Sequence, residues 1–289
     1  MGAGHSGSTI LGVALGNCSS FFYAGEVDEW LVNEGDAGWG GSERTRFWNA
    51  VRERVDMDAA ASLFGGRTNR YVERSSALLR VDRWRARRRI LPRYRSLAEE
   101  LFRAIVDAAK ATHVVDTSHF PLRARELRAA GGLELYLVLL VRDPQDVVAS
   151  NLRQISPRQV AERRLRIVST NVGLWLTHLL SLLVFLTHPR ERRVFVRYED
   201  FVTDPEDVLR QILDRVDPSV AVPDVKALRT GFPFEGNRLI GSEVIAVERP
   251  RAPNPHHSLF TALLQLPWSL ALSRLRPAAR AKRGRSSPG

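Results

Sequence analysis

Four short apolar stretches, each bounded by polar or turn residues, set the frame of the chain. Residues 135–141 are a continuous apolar run of strand length, the pattern of a parallel strand covered on both faces. Residues 113–116 and 194–197 read as further short buried strands, and residues 21–25 as a strand or extended turn ending at Glu26. Between them the spacing is helical. Residues 10–15 open an apolar helix, 94–109 are amphipathic and 123–130 are helical. Asp143-Pro144 and Asp204-Pro205 each place an N-cap before a proline at the first helical position. Strands alternating with helices predict an α/β fold of three layers, α/β/α, around a central parallel sheet. Residues 42–92 have helical spacing with no strand signal, are rich in arginine and tryptophan, and are broken by Gly65-Gly66. They predict a helical cap inserted into a main domain of residues 1–245, with residues 246–289 as a C-terminal helix and basic tail.

Two apolar segments raise the question of a membrane. Residues 172–186 are apolar almost all round, but roughly 15 residues span only about 23 Å, short of the ~30 Å hydrocarbon core. They also carry His178 and lead into a strand, so a buried helix is expected. Residues 259–275 are amphipathic and are followed by Arg276, Arg280, Lys282, Arg283 and Arg285. Two readings stay open there: a packed terminal helix with a basic tail, or a peripheral membrane contact.

Composition narrows the chemistry. With 289 residues, 44 % hydrophobic and 8 % aromatic, the chain can bury a sizeable core. A single cysteine, Cys18, excludes an internal disulfide framework and a cysteine-based zinc cluster. The apolar start is short, glycine-rich and preceded by no basic residue, so no secretory leader is expected and the cytoplasm is the expected compartment. Lys+Arg number 43 against 32 Asp+Glu, a formal charge of +11 that favours an anionic partner. Only three of the 43 are lysines, and arginine grips phosphate and sulfate through two-point contacts. The arginine-rich run at residues 83–89 is read as a solvated helix face or a contact between the cap and an anionic ligand, so no nucleic-acid partner is expected.

Residues 2–9, Gly-Ala-Gly-His-Ser-Gly-Ser-Thr, match G-x-x-x-x-G-x-[ST]. Glycines let the backbone curl so that amides point inward, and a following helix N-terminus adds partial positive charge. In nucleoside triphosphatases a lysine follows the second glycine; here Ser8 stands in its place. A phosphate cradle and a plain Gly/Ser-rich arm both fit the pattern taken alone. Arg142 adds weight to the cradle, because it ends a buried strand where α/β sheets bind ligands. Ser150 lies eight residues later, almost two turns into the next helix, so the two could close on one phosphate.

These segments, together with the strand and turn at 114–124, resemble the sulfotransferases that use 3′-phosphoadenosine 5′-phosphosulfate (PAPS), in particular a bacterial subgroup similar to the tyrosylprotein sulfotransferases. Gly4-His5-Ser6-Gly7-Ser8-Thr9-Ile10-Leu11 resembles the loop for the donor's 5′-phosphosulfate. Arg142-Asp143-Pro144 with Ser150 and Arg153 is similar to the 3′-phosphate segment, and Val196-Arg197-Tyr198-Glu199-Asp200-Phe201 to the strand beside the adenine. Gly236-Asn237-Arg238 resembles a late loop that folds over the nucleotide. The resemblance implies a P-loop-like nucleotide-binding fold, and donor contacts from Gly4, His5, Ser6, Gly7, Ser8, Thr9, Arg142, Ser150, Tyr198, Asn237 and Arg238. It also implies no metal, and an acceptor hydroxyl on a carbohydrate, glycolipid or other small natural product.

Two residues are candidates for the base that takes the acceptor's proton. Glu26 stands where the tyrosylprotein enzymes use a glutamate, and His119 where the small-molecule enzymes use a histidine. His5, at a position the family gives to lysine or arginine, would add charge at the transferring group only when protonated. Trp30, Trp39 and Trp48 are either acceptor-pocket walls or plain core. In the family the loop follows a buried strand, and the sequence here opens at Met1. The expectation is a start placed too late or a truncated chain, with neighbouring ladder groups unpaired. The rival readings are a degenerate P-loop kinase and a non-enzymatic basic protein that binds anionic ligands or membranes.

Overall fold

The structure is a computed structural model and describes residues 1–33, 35–36, 41–58, 72–153, 155–156, 158–236, 238–248 and 258–275. The glycine-rich opening leads into α1 (Ser8–Gly16), whose apolar side chains are buried, and then into β1 (Phe21–Gly25). Helices α2 (Val27–Val32), α3 (Ser42–Arg52) and α4 (Trp84–Ala109) follow, then β2 (His113–Asp116) and α5 (Pro121–Arg128). Next come β3 (Leu137–Val141), α6 (Pro144–Leu152), the long α7 (Val160–Leu186) and β4 (Arg193–Arg197). The chain continues through α8 (Tyr198–Thr203), α9 (Pro205–Val216), β5 (Leu228–Arg229), β6 (Val244–Ile245) and α10 (Leu259–Ser273).

The strand positions and both Asp-Pro helix starts match the apolar pattern. Asp143 accepts from the amide of Gln145 at 2.8 Å and Asp204 from that of Asp207 at 3.3 Å, so each aspartate satisfies an orphan donor of the helix that it opens. β1 pairs with β2 and β3 with β4, both in parallel, while β5 and β6 form a small antiparallel ribbon. The expected parallel order is present, but as two pairs rather than one ladder. A cavity of about 560 Å³ lies between them, lined by Val114, Val115 and Asp116 from one side and Leu137, Val138 and Leu140 from the other. Met1 and Gly2 reach across toward β3: the amide of Leu140 donates to the Met1 carbonyl at 3.0 Å, and the Met1 ammonium donates to Val138 O at 2.9 Å. Burial pushes that ammonium down to about 6.

Two expectations need correction, and one open choice is settled. The break placed between a cap ending near residue 92 and a separate helix at 94–109 does not exist, because α4 runs unbroken for 26 residues with Pro92 inside it. Of the two readings of the tryptophans, plain core holds for Trp30 and Trp48: both are fully buried, in one core with Val51, Tyr94, Leu101 and Phe234. Trp39 and Gly65-Gly66 lie outside the described residues. Residues 172–186 are not a buried helix either. They belong to α7, which buries Asn171, His178 and Ser181 and turns Val172, Leu179, Leu183 and Leu186 to the exterior. Apolar composition had concealed which face carries the polar anchors.

Candidate functional site

The site is assembled at the carboxyl ends of the two strand pairs, where the amino-terminal loop passes between them. His5 has a left-handed backbone, φ 63°, and Gly7 follows with φ 94° before α1 begins. Gly7 is required twice over: for that conformation and because a Cβ there would overlap the Tyr198 ring. Among the described residues no acceptor takes the backbone amides of residues 4–8. Unpaired amides curled into the mouth of a helix are a cradle for an anion.

The β3–β4 side supplies cations to that cradle. Arg142 Nη1 donates to the His5 carbonyl at 3.2 Å, and its guanidinium lies 4.5 Å from the Tyr198 ring centroid. Its ion pair is with Asp146, at 3.7 Å, rather than with Asp143, whose side chain is occupied as the α6 cap. Arg142 Nε is buried and has no partner among the described residues. Ser150 Oγ accepts from Arg153 Nη2 at 2.9 Å and stands 3.4 Å from His5 Nδ1. The His5 ring therefore points to the Ser150 side of the loop. Burial, then the charges of Arg153 and Arg142, hold its pKa below the ordinary histidine value.

The β1–β2 side is acidic. Glu26 follows β1 at the entry to α2, and its amide donates to Glu235 O at 3.1 Å. Gly25, at φ 79°, lets that strand pass so close, because a Cβ would overlap Glu235 O. No ion pair reaches Glu26 among the described residues. Burial, followed by the charges of Asp28, Glu29, Asp116 and Glu235, pushes its carboxyl up to about 7. His119 lies across the loop from it, with Nε2 3.7 Å from where a Gly4 Cβ would stand. Burial, the Met1 ammonium, Arg74 and His5 push its pKa down to about 4.

A buried network shapes the turn that carries His119. Asp116 accepts from the Ser118 amide at 2.7 Å and from Arg123 Nε at 3.0 Å. Arg123 Nη1 then donates to Glu73 at 2.7 Å and to the Tyr94 hydroxyl at 3.1 Å, while Ser118 Oγ accepts from the amide of Asp28. The loop, Arg142, Ser150, Tyr198 and His119 are thus brought together, while Glu26 leaves β1 beside the β2 turn, where the Thr117 amide donates to Gly25 O at 2.9 Å. Asn237 lies outside the described residues, and of Arg238 only the backbone, which opens a short 3₁₀ turn, is described. Arg153, part of the segment that resembles the 3′-phosphate site, stands three residues after Ser150 on one helix face and donates to its hydroxyl. Nothing in the sequence linked Glu73 to Arg123, 50 residues apart.

A model of the sulfotransferase family matches residues 1–221. The sulfotransferase domain from the curacin biosynthetic pathway superposes with a TM-score of 0.50 at 17 % identity, covering 93 % of this chain and 95 % of that one. The sulfotransferase domain from the Synechococcus PCC 7002 olefin synthase gives 0.49 at 18 % identity, over 93 % and 92 %. None of the curated proteins is similar enough in sequence to match. The first likeness supports the mixed α/β fold, and the family match extends from the loop through β4 and α9: the chain belongs to the sulfotransferase family.

Proposed function

We propose that this sulfotransferase takes its sulfuryl group from PAPS and passes it to a hydroxyl of a carbohydrate, glycolipid or other small natural product in the cytoplasm. The observation that carries the donor assignment is the 3.2 Å contact between Arg142 and the His5 carbonyl, which puts the guanidinium and the amide cradle in one pocket. In this reading the loop is the P-loop-like element of a three-layer α/β/α fold. The free amides of residues 4–8 with Ser8 and Thr9 hold the 5′-phosphosulfate, while Arg142, Ser150 and Arg153 hold the 3′-phosphate. Tyr198 borders the adenine, and Asn237 and Arg238 close over it.

PAPS supplies the reactive sulfuryl group, whose bond to the bridging phosphate oxygen breaks as the acceptor oxygen bonds to sulfur. The loop amides and the α1 N-terminus stabilise charge gathering on that leaving oxygen. Glu26 takes the proton released by the acceptor. A carboxyl poised at about 7 is ionised often enough at neutral pH, and is basic enough, to do so. His119, pushed down to about 4, is neutral but a poor base, which favours a hydrogen-bonding role against the loop.

Adenosine 3′,5′-bisphosphate is expected to raise the melting temperature without Mg²⁺, and ATP to do so far less. Arg142→Ala should abolish the rise. Equal protection by ATP, or protection that needs Mg²⁺, would replace this reading with the kinase one.

A further inference from the structure

Two helices on the exterior are built inside out. α7 turns Leu165, Val168, Val172, Leu179 and Leu183 outward along one stripe, and α10 does the same with Leu259, Leu263, Leu266 and Leu270. Their inward faces are half polar: Asn171, His178 and Ser181 beside Leu174, Val184 and Phe185 on α7, and Thr261 and Gln265 beside Trp268 and Leu272 on α10. Leu263 is 71 % exposed and Gln265 only 1 %. A surface helix in water has the opposite arrangement.

Two buried hydrogen bonds and one exposed one hold the two helices in this orientation. Asn171 Nδ2 donates to Thr261 Oγ1 at 3.1 Å, Gln265 Nε2 donates to Asn171 Oδ1 at 3.0 Å, and Trp175 Nε1 donates to Leu264 O at 2.8 Å. The outward stripes are therefore carried on two helices held side by side, so their exposed leucines and valines are not scattered singly. α7 is long and apolar enough to cross a bilayer. Its inner face, however, packs Leu174 beside α6 and Val184 and Phe185 beside β3, so the helix cannot leave the domain to span one.

Charge selects the occupant. From Ser258 to the end of the sequence there are six basic residues and no acidic one. A second copy seated on this surface would bring two such segments together, like charge against like. An anionic lipid surface neutralises them instead. We propose that α7 and α10 form a single docking face for an anionic phospholipid bilayer, the leucine stripes entering the headgroup boundary and the exposed Arg164, Arg166 and Arg274 at the helix ends meeting the headgroups.

Sedimentation with sucrose-loaded vesicles of phosphatidylcholine, alone or mixed with one quarter phosphatidylglycerol, tests this. The full chain should partition at least tenfold more strongly to the anionic vesicles. The double substitutions Leu263→Glu/Leu266→Glu and Val172→Glu/Leu179→Glu should each remove at least nine-tenths of that binding, and both lie on exposed positions. Circular dichroism and the melting shift with adenosine 3′,5′-bisphosphate should be unchanged, which separates this proposal from the donor assignment. Equal partition to neutral and anionic vesicles overturns it. So does absence of vesicle binding, including the case in which light scattering finds a dimer that the glutamate substitutions disperse.

Discussion

At the carboxyl end of β1, Glu26 has Asp28, Glu29, Asp116 and Glu235 for neighbours; past the end of β3, Arg142 shares its surroundings with Arg153 and His5. Each side crowds like charges in partial burial, and the pKa values move in opposite directions: Glu26 rises and His5 falls. The acidic side is relieved by a proton and the basic side by an anion. One site thus keeps two unsatisfied demands apart by placing them on different strand pairs, with the glycine loop between. That division is what a transfer from a multiply anionic donor to a protonated acceptor needs. It can be broken from either side.

The largest effect is expected on the acidic side. Glu26→Gln should lower kcat by about 10²–10⁴-fold, the range for loss of a positioned base, while the melting shift with adenosine 3′,5′-bisphosphate stays as in the parent. In the parent, kcat/KM should climb with pH and level off above about 7, the value to which Glu26 is raised. Full turnover in Glu26→Gln would move the base elsewhere, with His119→Ala as the next variant to assay.

Stability gives a smaller readout of the same crowding. Unfolded, Glu26 loses its proton near 4.5; folded, it holds that proton to about 7. Across this window the folded chain binds more protons than the unfolded one, so the contribution of Glu26 to stability falls as pH rises. Glutamine has no charge to bury. Urea unfolding should therefore find Glu26→Gln gaining on the parent by about 1–3 kcal/mol between pH 4 and pH 8. A difference independent of pH would mean that the carboxyl is not held under strain by its neighbours.

How much of this was legible depended on whether a signal was local. The strands, the Asp-Pro helix starts, the loop and the Arg142-to-Ser150 spacing are contiguous patterns, and each was readable from periodicity or cap chemistry. The electrostatics of Glu26 were not, because Asp116 and Glu235 come from segments about 90 and 200 residues away in sequence. The Arg123–Glu73–Tyr94 network was hidden for the same reason: buried ion pairs across distant segments leave no mark in a window of a dozen residues. The inverted faces of α7 and α10 were obscured differently. Average hydropathy reports how apolar a helix is, and only the packing reveals that Asn171, Thr261 and Gln265 are among the residues turned inward.

The basic side offers the finest distinction. Ser150 Oγ accepts from Arg153 and makes only a long 3.4 Å contact with His5 Nδ1, which its hydroxyl can give up to donate to an incoming phosphate oxygen. Ser150→Ala should cost about 1 kcal/mol, roughly fivefold in bisphosphate affinity, since one hydrogen bond is lost and the guanidinium groups remain. His5 behaves differently. Its pKa is depressed in the free chain by burial and by Arg153 and Arg142, and an arriving phosphate dianion offsets those charges and raises it. Binding should then take up a proton, so affinity should increase as pH falls from 8 to 7. Calorimetry in buffers of different ionisation enthalpy measures that proton directly. His5→Gln should abolish the uptake at modest loss of affinity, whereas Ser150→Ala should lose affinity and keep the uptake. If both variants keep it, the proton resides on the ligand rather than on His5, and the basic side is set by its arginines alone.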